Sequence, residues 1–356
     1  MIEDCVMTTL SPPAPQSLPA TIVLIAGDGV GQEVIPAAAE VLAALDLGLK
    51  FVEAPAGFGH FERTGNAIPA ETLAAVRAAG VALFGATASP STDVRGYQSP
   101  ILVMRREFDL YANLRPAFSL PGSYARANVD LLIVRENTEG LYSGRERREG
   151  DTAIAERVIT VRGSERIARM AFTQALARQR PAGRGGPCVT IVHKANVLKI
   201  TDGLFRETCL QVAAEFPDVA VNEVLVDTMA LRLMRDPQAF DVIVTTNLFG
   251  DILSDEASGL MGGLGVAPSA NVGGQVAVFE PVHGSAPDIA GHGWANPVGT
   301  LLAAAMLLVH IGHHTAAGRV RQAVMDTLRA GILTPDLGGT ATTKAVTRRV
   351  IAGLEV

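Results

Sequence analysis

Cysteine is scarce in this sequence of 356 residues, and it forms no pattern. The three cysteines, Cys5, Cys188 and Cys209, lie far apart and include no CxxC pair. Isolated cysteines exclude both a disulfide framework and a cysteine-based metal site. The sequence therefore predicts a protein of a reducing compartment, which we take to be the cytoplasm.

Positive charge and long apolar segments are also lacking. The formal net charge is −6, so the chain offers no basic surface of the kind that binds nucleic acid or a membrane. The most apolar run, residues 301–309, is far shorter than the roughly 20 residues that cross a bilayer. Residues 1–20 contain a proline- and serine-bearing stretch without the layout of a signal peptide, and we expect a disordered tail there.

What the chain does contain is a regular alternation of apolar runs of strand length with helical patterns. Strands are predicted at 21–26, 50–54, 81–85, 131–134, 189–192 and 240–245, and helices at 33–45, 69–79, 297–312, 316–330 and 342–354. Because continuous apolar strands are buried on both faces, this pattern favours a mostly parallel sheet flanked by helices. The predicted class is α/β, with two lobes interleaved in sequence.

One segment interrupts the alternation. Residues 141–162 are rich in charge, with a β-prone stretch at 158–161 and no helical period. Such an interruption is typical either of a surface loop or of an arm that pairs with a second subunit. The pattern alone leaves both alternatives open.

A glycine-rich turn, Gly27-Asp-Gly-Val-Gly31, follows the first predicted strand and precedes the first predicted helix. Its spacing is GxGxG, not the GxGxxG of dinucleotide-binding turns, and no acidic residue ends a second strand at the usual distance. We therefore predict a tight turn that needs glycine torsions, and not a Rossmann-type cofactor site.

Three arginines stand in or near the ends of predicted elements. Arg105 lies in a helical run, Arg115 follows it, and Arg135 closes an apolar strand. A guanidinium at the end of a buried strand needs an anionic partner, and its planar fork fits a carboxylate. A nearby glutamate could serve each one singly, but three together favour a carboxylate-rich substrate.

Two aspartates, Asp251 and Asp255, are spaced i and i+4 and so share one helix face. Like charges so placed repel each other, and a pair of oxygen ligands without His or Cys suits Mg²⁺ or Mn²⁺. Asp227, which ends a predicted strand at 224–226, is a third candidate ligand. The alternative is a solvated acidic face, but the residues that flank the pair are apolar.

Lys194 ends another predicted strand. Burial or a nearby cation there would lower its pKa toward that of a useful base, whereas a surface lysine is the alternative. Further along, residues 280–288 form a loop of turn formers that carries a histidine among small side chains, and such a loop lets a ligand approach the backbone.

Together these segments resemble the isocitrate and isopropylmalate dehydrogenases, a superfamily of β-decarboxylating dehydrogenases. The resemblance runs from residue 21 to the C-terminus and is most specific in 247–271 and 280–297. It implies a two-domain fold with a cofactor site that is not of the Rossmann type. The implied large, cofactor-binding domain comprises 21–109 and 262–356, and the small domain comprises 110–261, with 141–162 as the arm of a homodimer or tetramer.

The resemblance also implies roles for particular residues in binding a hydroxy di- or tricarboxylic acid. The substrate-binding residues would be Arg105, Arg115 and Arg135, with Ser99 and Leu102 facing the variable substituent at C3. Hydride would pass to a nicotinamide, and the product would then lose CO₂.

The implied catalytic and metal-binding residues come from other parts of the chain. Tyr142 would protonate the enolate left by decarboxylation, and Lys194, assisted by Asp227, would help to remove the hydroxyl proton. Asp227, Asp251 and Asp255 would bind Mg²⁺ or Mn²⁺. In the family, Lys194 and Asp227 would reach the site from the partner subunit, so that the active sites of a homodimer are shared.

The implied cofactor-binding residues are His283, Gly284, Ser285, Ala286, Asp288, Ile289 and Asn296. NADP-dependent members resemble one another in having a Lys-Tyr pair where this chain has Asp288 and Ile289. A carboxylate accepts hydrogen bonds from ribose hydroxyls and repels a 2′-phosphate, so NAD is the expected cofactor.

The substrate is read from the segment that precedes and begins the helix of Arg105. Residues 89–91 and 96–101 most resemble the homoisocitrate branch, which makes 2-oxoadipate in lysine biosynthesis. Ile101 stands where isocitrate enzymes have asparagine, and Leu102 stands where some homoisocitrate enzymes have arginine. We expect homoisocitrate first, isocitrate second and isopropylmalate third. A non-catalytic regulatory subunit is the alternative class, which the retained catalytic residues disfavour.

Overall fold

The computed structural model describes residues 21–90, 92, 94–180, 183 and 185–354. The predicted tail at 1–20, which includes Cys5, lies outside the described residues. In the described part, the strands are β1 Thr21–Gly27, β2 Lys50–Glu53, β3 Val81–Ala86, β4 Ala112–Phe118, β5 Asp130–Glu136, β6 Glu146–Glu149, β7 Thr152–Ala155, β8 Cys188–His193, β9 Ala220–Leu225, β10 Val242–Thr245, β11 Pro268–Val272 and β12 Ala277–Pro281.

The helices of the described part alternate with these strands. They are α1 Gly31–Ala44, α2 Phe58–Thr64, α3 Ala70–Ala79, α4 Pro100–Glu107, α5 Val161–Ala177, α6 Thr201–Ala213, α7 Val226–Arg235, α8 Asn247–Met261, α9 Val298–His310, α10 His314–Arg329 and α11 Thr343–Gly353. None of the helices described is both long enough and apolar enough to cross a bilayer.

The described strands other than β6 and β7 form one ten-stranded sheet in the order β2-β1-β3-β12-β11-β4-β5-β10-β8-β9. Within the groups β2-β1-β3-β12 and β5-β10-β8-β9 all neighbours are parallel. The two groups are joined through β11 and β4, where the pairings are antiparallel. The predicted α/β class with a mainly parallel sheet is confirmed, while the bounds given to the two domains stay a prediction.

Side chains of β1 show how the sheet is covered on both faces. Ile22 and Leu24 join the cluster that includes α1 and α9, whereas Val23 and Ile25 join a second cluster with α3 and α4. Successive residues of a strand point to opposite faces, so a strand buried on both sides needs an unbroken apolar run. This requirement explains why the strand was visible in the sequence.

Two sequence-based expectations about local structure are wrong. The β-prone residues 158–161 form no strand: Val158 makes only an isolated bridge to Gly140, and α5 begins at Val161. The strands of this segment are instead the charged β6 and the uncharged β7, which are largely exposed and pair as a hairpin. Asp227 does not end a strand but lies in the first turn of α7. In both places β-branched residues lie next to the start of a helix, where their propensity is a weak guide to strands.

The glycine-rich turn is a tight strand-to-helix connection, as predicted. Gly27 and Gly29 have positive φ angles of 76° and 56°. A Cβ on Gly29 would lie 1.9 Å from the carbonyl oxygen of Ser285, so the turn also packs against the loop that follows β12. The amide of Val30 donates to that same oxygen at 2.9 Å.

Gly29 and Gly48 provide a matched pair of substitutions. Gly48 also has positive φ, 69°, but no atom lies within 4 Å of the position that a Cβ would take there. We expect Gly48→Ala to cost about 1 kcal/mol of unfolding free energy. The strain of the left-handed backbone in the folded state is partly offset because alanine lowers the conformational entropy of the unfolded chain. Gly29→Ala should cost about 3 kcal/mol or more, because the backbone must also move. Urea denaturation measures both values, and equal losses would contradict the proposed close packing.

Candidate active site

Arg115 and Arg135 are brought together by the central strands of the sheet. Residues of β4 and β5 pair in antiparallel register, with Asn113 opposite Arg135 and Arg115 opposite Ile133. Helix α8 packs against both strands. Its Gly250 lies against the Arg135 side chain, where a Cβ would be 2.6 Å from Cγ, so only glycine lets the helix approach so closely. Arg135 is almost completely buried as a result.

Asp251 of α8 is the carboxylate on which this site converges. Arg135 and the hydroxyl of Tyr142 both donate to it, and Nη2 of Arg115 lies 3.4 Å from its Oδ1. One turn later, Asp255 accepts a 2.9 Å bond from Nη1 of Arg115. The predicted metal-binding pair thus shares its helix face, as the i, i+4 spacing requires, and arginines contact both carboxylates.

Arg105 enters the same site from α4. Its Nε donates to Oδ1 of Asn271 at 3.1 Å, and its Nη2 lies 3.5 Å from Oε1 of Glu280. Ser99 precedes the helix and Leu102 lies one turn before Arg105, so both predicted specificity residues belong to the same helical side.

Asparagines orient the arginines, and sequence reasoning missed them. Asn113 accepts from Nε of Arg115 at 2.7 Å and donates to Asn271, which serves Arg105. Asn247 accepts two bonds from Arg135, at 2.8 and 3.2 Å. A signal existed at Asn113, which is two residues before Arg115 and so on the same face of β4.

The three arginines of the site face three carboxylates, those of Asp251, Asp255 and Glu280. Burial, and then the charges of Arg115 and Arg105, lower the pKa of Arg135. Burial works to raise the pKa of Asp251, but Arg135 and Arg115 outweigh it and hold the pKa below its ordinary value. Burial and the bond to Asp251 raise the pKa of Tyr142, so its phenol carries a proton at neutral pH.

Lys194 and Asp227 form a separate pair. Lys194, directly after β8, donates from Nζ to Asp227 of α7. No hydrogen bond or ion pair between described residues joins this pair to Asp251 or Asp255. Across the described residues, no three side chains of His, Cys, Asp or Glu are grouped so as to hold a metal ion. Within one chain, Asp251 and Asp255 therefore provide two oxygen donors on α8, and Asp227, the third predicted ligand, lies outside this group.

The predicted cofactor residues lie in the loop after β12 and just before α9. Ala286 has a positive φ of 39°, and Ile289 packs against Val30. Asp288 is exposed, whereas Asn296 is buried and donates to Asp336 at 3.0 Å. The turn at 27–31 thus supports this loop through its packing.

His283, Gly284 and Ser285 form the start of the same loop. The Nδ1 atom of His283 lies 2.9 Å from the carbonyl oxygen of Gly284, and burial lowers the pKa of the imidazole. Because the imidazole of His283 is neutral and the neighbouring side chains are small, a ligand can approach the backbone groups of this loop.

A mainly parallel sheet whose central strands gather arginines and acidic side chains is typical of a protein that binds a small acid. Residues 21–351 match the isocitrate/isopropylmalate dehydrogenase family model. The chain belongs to the isocitrate/isopropylmalate dehydrogenase family, which confirms the family inferred from the sequence.

Relatives with three different substrate names are similar to the chain. It is 54% identical to the isocitrate/homoisocitrate dehydrogenase of Thermus thermophilus, over 94% of this chain and 98% of the relative. It is 48% identical to a 3-isopropylmalate dehydrogenase of Methanothermobacter thermautotrophicus, over 94% and 98%. The crystal structure of isocitrate dehydrogenase from Methylococcus capsulatus superimposes with a TM-score of 0.89 at 41% identity, covering 94% of this chain and 99% of that one.

The family membership establishes the general reaction. The protein is a β-decarboxylating dehydrogenase of the isocitrate, homoisocitrate and isopropylmalate type. Enzymes of this family bind hydroxy acids and use NAD(P) with a divalent metal ion.

Replacing Asp251 tests the electrostatics of the metal-free site. With chelator present, Asp251→Asn should lower the unfolding free energy by about 3 kcal/mol at neutral pH, because Arg135 loses its buried counterion. Because the folded state lowers the pKa of Asp251, the contribution of this carboxylate to stability is complete above its pKa in the unfolded chain, about 3.9. That contribution is lost as the pH falls through the lower pKa of the folded state. The difference in unfolding free energy between wild type and variant should therefore become smaller in acid.

Urea denaturation at several pH values between 7 and 3 measures this difference. Asp218→Asn, in an exposed turn before β9, is the control and should leave the curve unchanged. If the difference in unfolding free energy between wild type and Asp251→Asn became larger in acid, Asp251 would not be the charged partner of Arg135.

Proposed function

We propose that this enzyme oxidises and decarboxylates a 2-hydroxy acid with a 3-carboxylate, with homoisocitrate as the substrate and 2-oxoadipate as the product. The convergence of Arg105, Arg115 and Arg135 on the surroundings of Asp251 carries the proposal. These guanidinium groups face Asp251, Asp255 and Glu280, and a cation on the two aspartates would leave the arginines to the carboxylates of a ligand. Lysine biosynthesis in the cytoplasm is the proposed setting, as drawn from the sequence.

The residues of the site divide the work of binding and proton transfer. Arg105, Arg115 and Arg135 hold the carboxylates of the substrate as charge-assisted partners. Tyr142, which is kept protonated by burial and Asp251, delivers its hydroxyl proton to the carbon that has lost CO₂. Lys194 accepts the hydroxyl proton of the substrate as the free amine, and Asp227 stabilises the ammonium group that forms.

Oxygen donors of Asp251 and Asp255 fit a hard divalent cation, Mg²⁺ or Mn²⁺. Both lie on one helix face, and the side chain of Asp255 is half exposed, which leaves an open approach. Asp227 from a second copy of the chain is the third proposed ligand. When bound, the ion supplies Lewis-acid stabilisation of negative charge on the substrate oxygens.

NAD is the proposed cofactor, held by the loop of His283, Gly284, Ser285 and Ala286 together with Asp288, Ile289 and Asn296. The exposed carboxylate of Asp288 is available to ribose hydroxyls and would repel the 2′-phosphate of NADP.

The active enzyme is proposed to be a homodimer with shared sites, with a tetramer as the alternative. Lys194 and Asp227 lie apart from Asp251 within one chain, so a second copy is needed to complete the site. Exposed apolar side chains on α7 and α8, Leu231, Met234 and Ile252, offer a surface for it.

The charged hairpin β6–β7 is exposed, and an isolated two-stranded hairpin is marginally stable. We propose it as the intersubunit arm.

A comparison of three acids tests the substrate. We expect kcat/KM with Mg²⁺ and NAD to be highest for homoisocitrate, lower for isocitrate and lowest for isopropylmalate. NADP should be a poorer cofactor, and chelator should stop the reaction. A large preference for isopropylmalate would show that the apolar Ile101 and Leu102 determine the substrate, and absence of activity with every acid would favour a regulatory subunit.

Hybrid dimers test the sharing of active sites. Lys194→Met and Asp251→Asn should each inactivate the homodimer. In a hybrid dimer of the two variants, one active site combines both substitutions and the other has neither. Random assortment of equal amounts makes about half of the dimers hybrids, so about one quarter of the wild-type activity should return.

The matched control for this experiment combines Lys194→Met with Asp227→Asn. Both residues would serve the partner's site, so every site of this hybrid keeps a lesion and no activity should return. Restoration in the control, or none in the first hybrid, would refute the sharing of Lys194 and Asp227 between subunits.

A further inference from the structure

Asp202, in the first turn of α6, is a completely buried carboxylate outside the cluster around Asp251. Its Oδ2 accepts a 2.6 Å hydrogen bond from the backbone amide of Lys194. Its Oδ1 forms a 2.6 Å ion pair with Nη2 of Arg157. The carboxylate thus contacts the main chain at the residue whose side chain is proposed to act on the substrate.

Arg157 reaches this carboxylate from a distant part of the sequence, directly after the hairpin β6–β7. The same Nη2 donates to Oγ1 of Thr246 at 2.9 Å, and the guanidinium lies over the ring of Phe249, 4.4 Å from its centroid. Thr246 precedes α8 and Phe249 lies in its first turn. Arg157 therefore connects the start of α8, which carries Asp251, with the loop that carries Lys194.

The groups of this connection constrain one another because Asp202 is buried. A carboxylate without access to water must keep its partners, because an unpaired buried charge is costly. Asp202 is held on one side by a main-chain amide and on the other by a planar guanidinium, which is itself fixed by a hydroxyl and an aromatic ring. A change in one of these partners must shift the others.

We propose that Arg157 and Asp202 are positioning residues that fix Lys194 relative to α8 and the hairpin. The proposal rests on the proposed function, since only there does Lys194 act on the substrate. If Lys194 serves the second subunit, the pair sets the position at which each chain presents its lysine to its partner. A displacement of about 1 Å is enough to slow a proton transfer strongly.

Asp202→Asn is the direct test, because an amide cannot replace the carboxylate at both contacts. The amide of Lys194 and the guanidinium of Arg157 are both donors, so the NH₂ group of the new side chain must face one of them. We expect kcat to fall about tenfold or more while KM for the hydroxy acid changes little, because the arginines that bind it are untouched. Arg157→Lys, which keeps the charge, should lose less activity than Arg157→Leu.

Asp130→Asn is the matched control. Asp130 pairs with the buried Arg178 at 2.7 Å, at the opposite end of β5 from Arg135. Its replacement removes a buried ion pair as well and should reduce stability, but kcat per folded enzyme should stay at the wild-type value. An equal loss of kcat in both variants would overturn the positioning role.

Hydrogen exchange of the backbone distinguishes this proposal from the proposed function. Asp202→Asn should speed exchange at the amide of Lys194 and leave β5 unchanged, whether or not the chain turns over any acid. Unchanged exchange at Lys194, or wild-type kcat in Asp202→Asn, would overturn the proposal. If Asp202→Asn does not fold, the same comparison of exchange and kcat is made with Arg157→Lys. Inactive wild-type protein would instead refute the proposed function.

Discussion

The bond between the buried Arg135 and Asp251 is the constraint on which the site depends. A buried guanidinium requires a counterion, and Asp251 must satisfy it while also accepting from Tyr142 and lying near Arg115. Asp255 and Glu280 face the other two arginines, so each guanidinium of the site has an acidic partner in the chain itself. A divalent cation on Asp251 and Asp255, as proposed, would take up their negative charge and leave the arginines to the carboxylates of a substrate.

The join between the two parallel groups of the sheet creates this concentration of charge. Strands β4 and β11 run antiparallel to their neighbours at the centre of the sheet, and they carry Arg115, Asn113 and Asn271. A side chain there can be buried and still face its counterparts on α4 and α8. The same architecture keeps Lys194 and Asp227 at another place, which is why a second chain enters the proposed mechanism.

Much of the fold could be predicted because the long parallel strands are apolar on both faces and the C-terminal helices are strongly periodic. Strands β4, β11 and β12 were missed, since they contain polar residues and proline that lower their β propensity. The hairpin β6–β7 was misplaced for a similar reason, because β6 consists of charged residues and β7 is only four residues long. In the site, Arg105, Arg115, Arg135 and the aspartate pair were recognised, whereas the asparagines that orient the arginines were not.

The sequence by itself determined the class of fold, the family and the spacing of Asp251 and Asp255, because these follow from local periodicity and from residues close together in the chain. Tertiary structure alone decided which arginine meets which carboxylate, and that Asp202 is joined to Arg157. Such contacts link residues 45 or more positions apart, as between Arg157 and Asp202, and no local rule encodes them. They arise only when the burial of the sheet faces fixes the register of the strands, since a slip of one residue would turn each side chain to the opposite face.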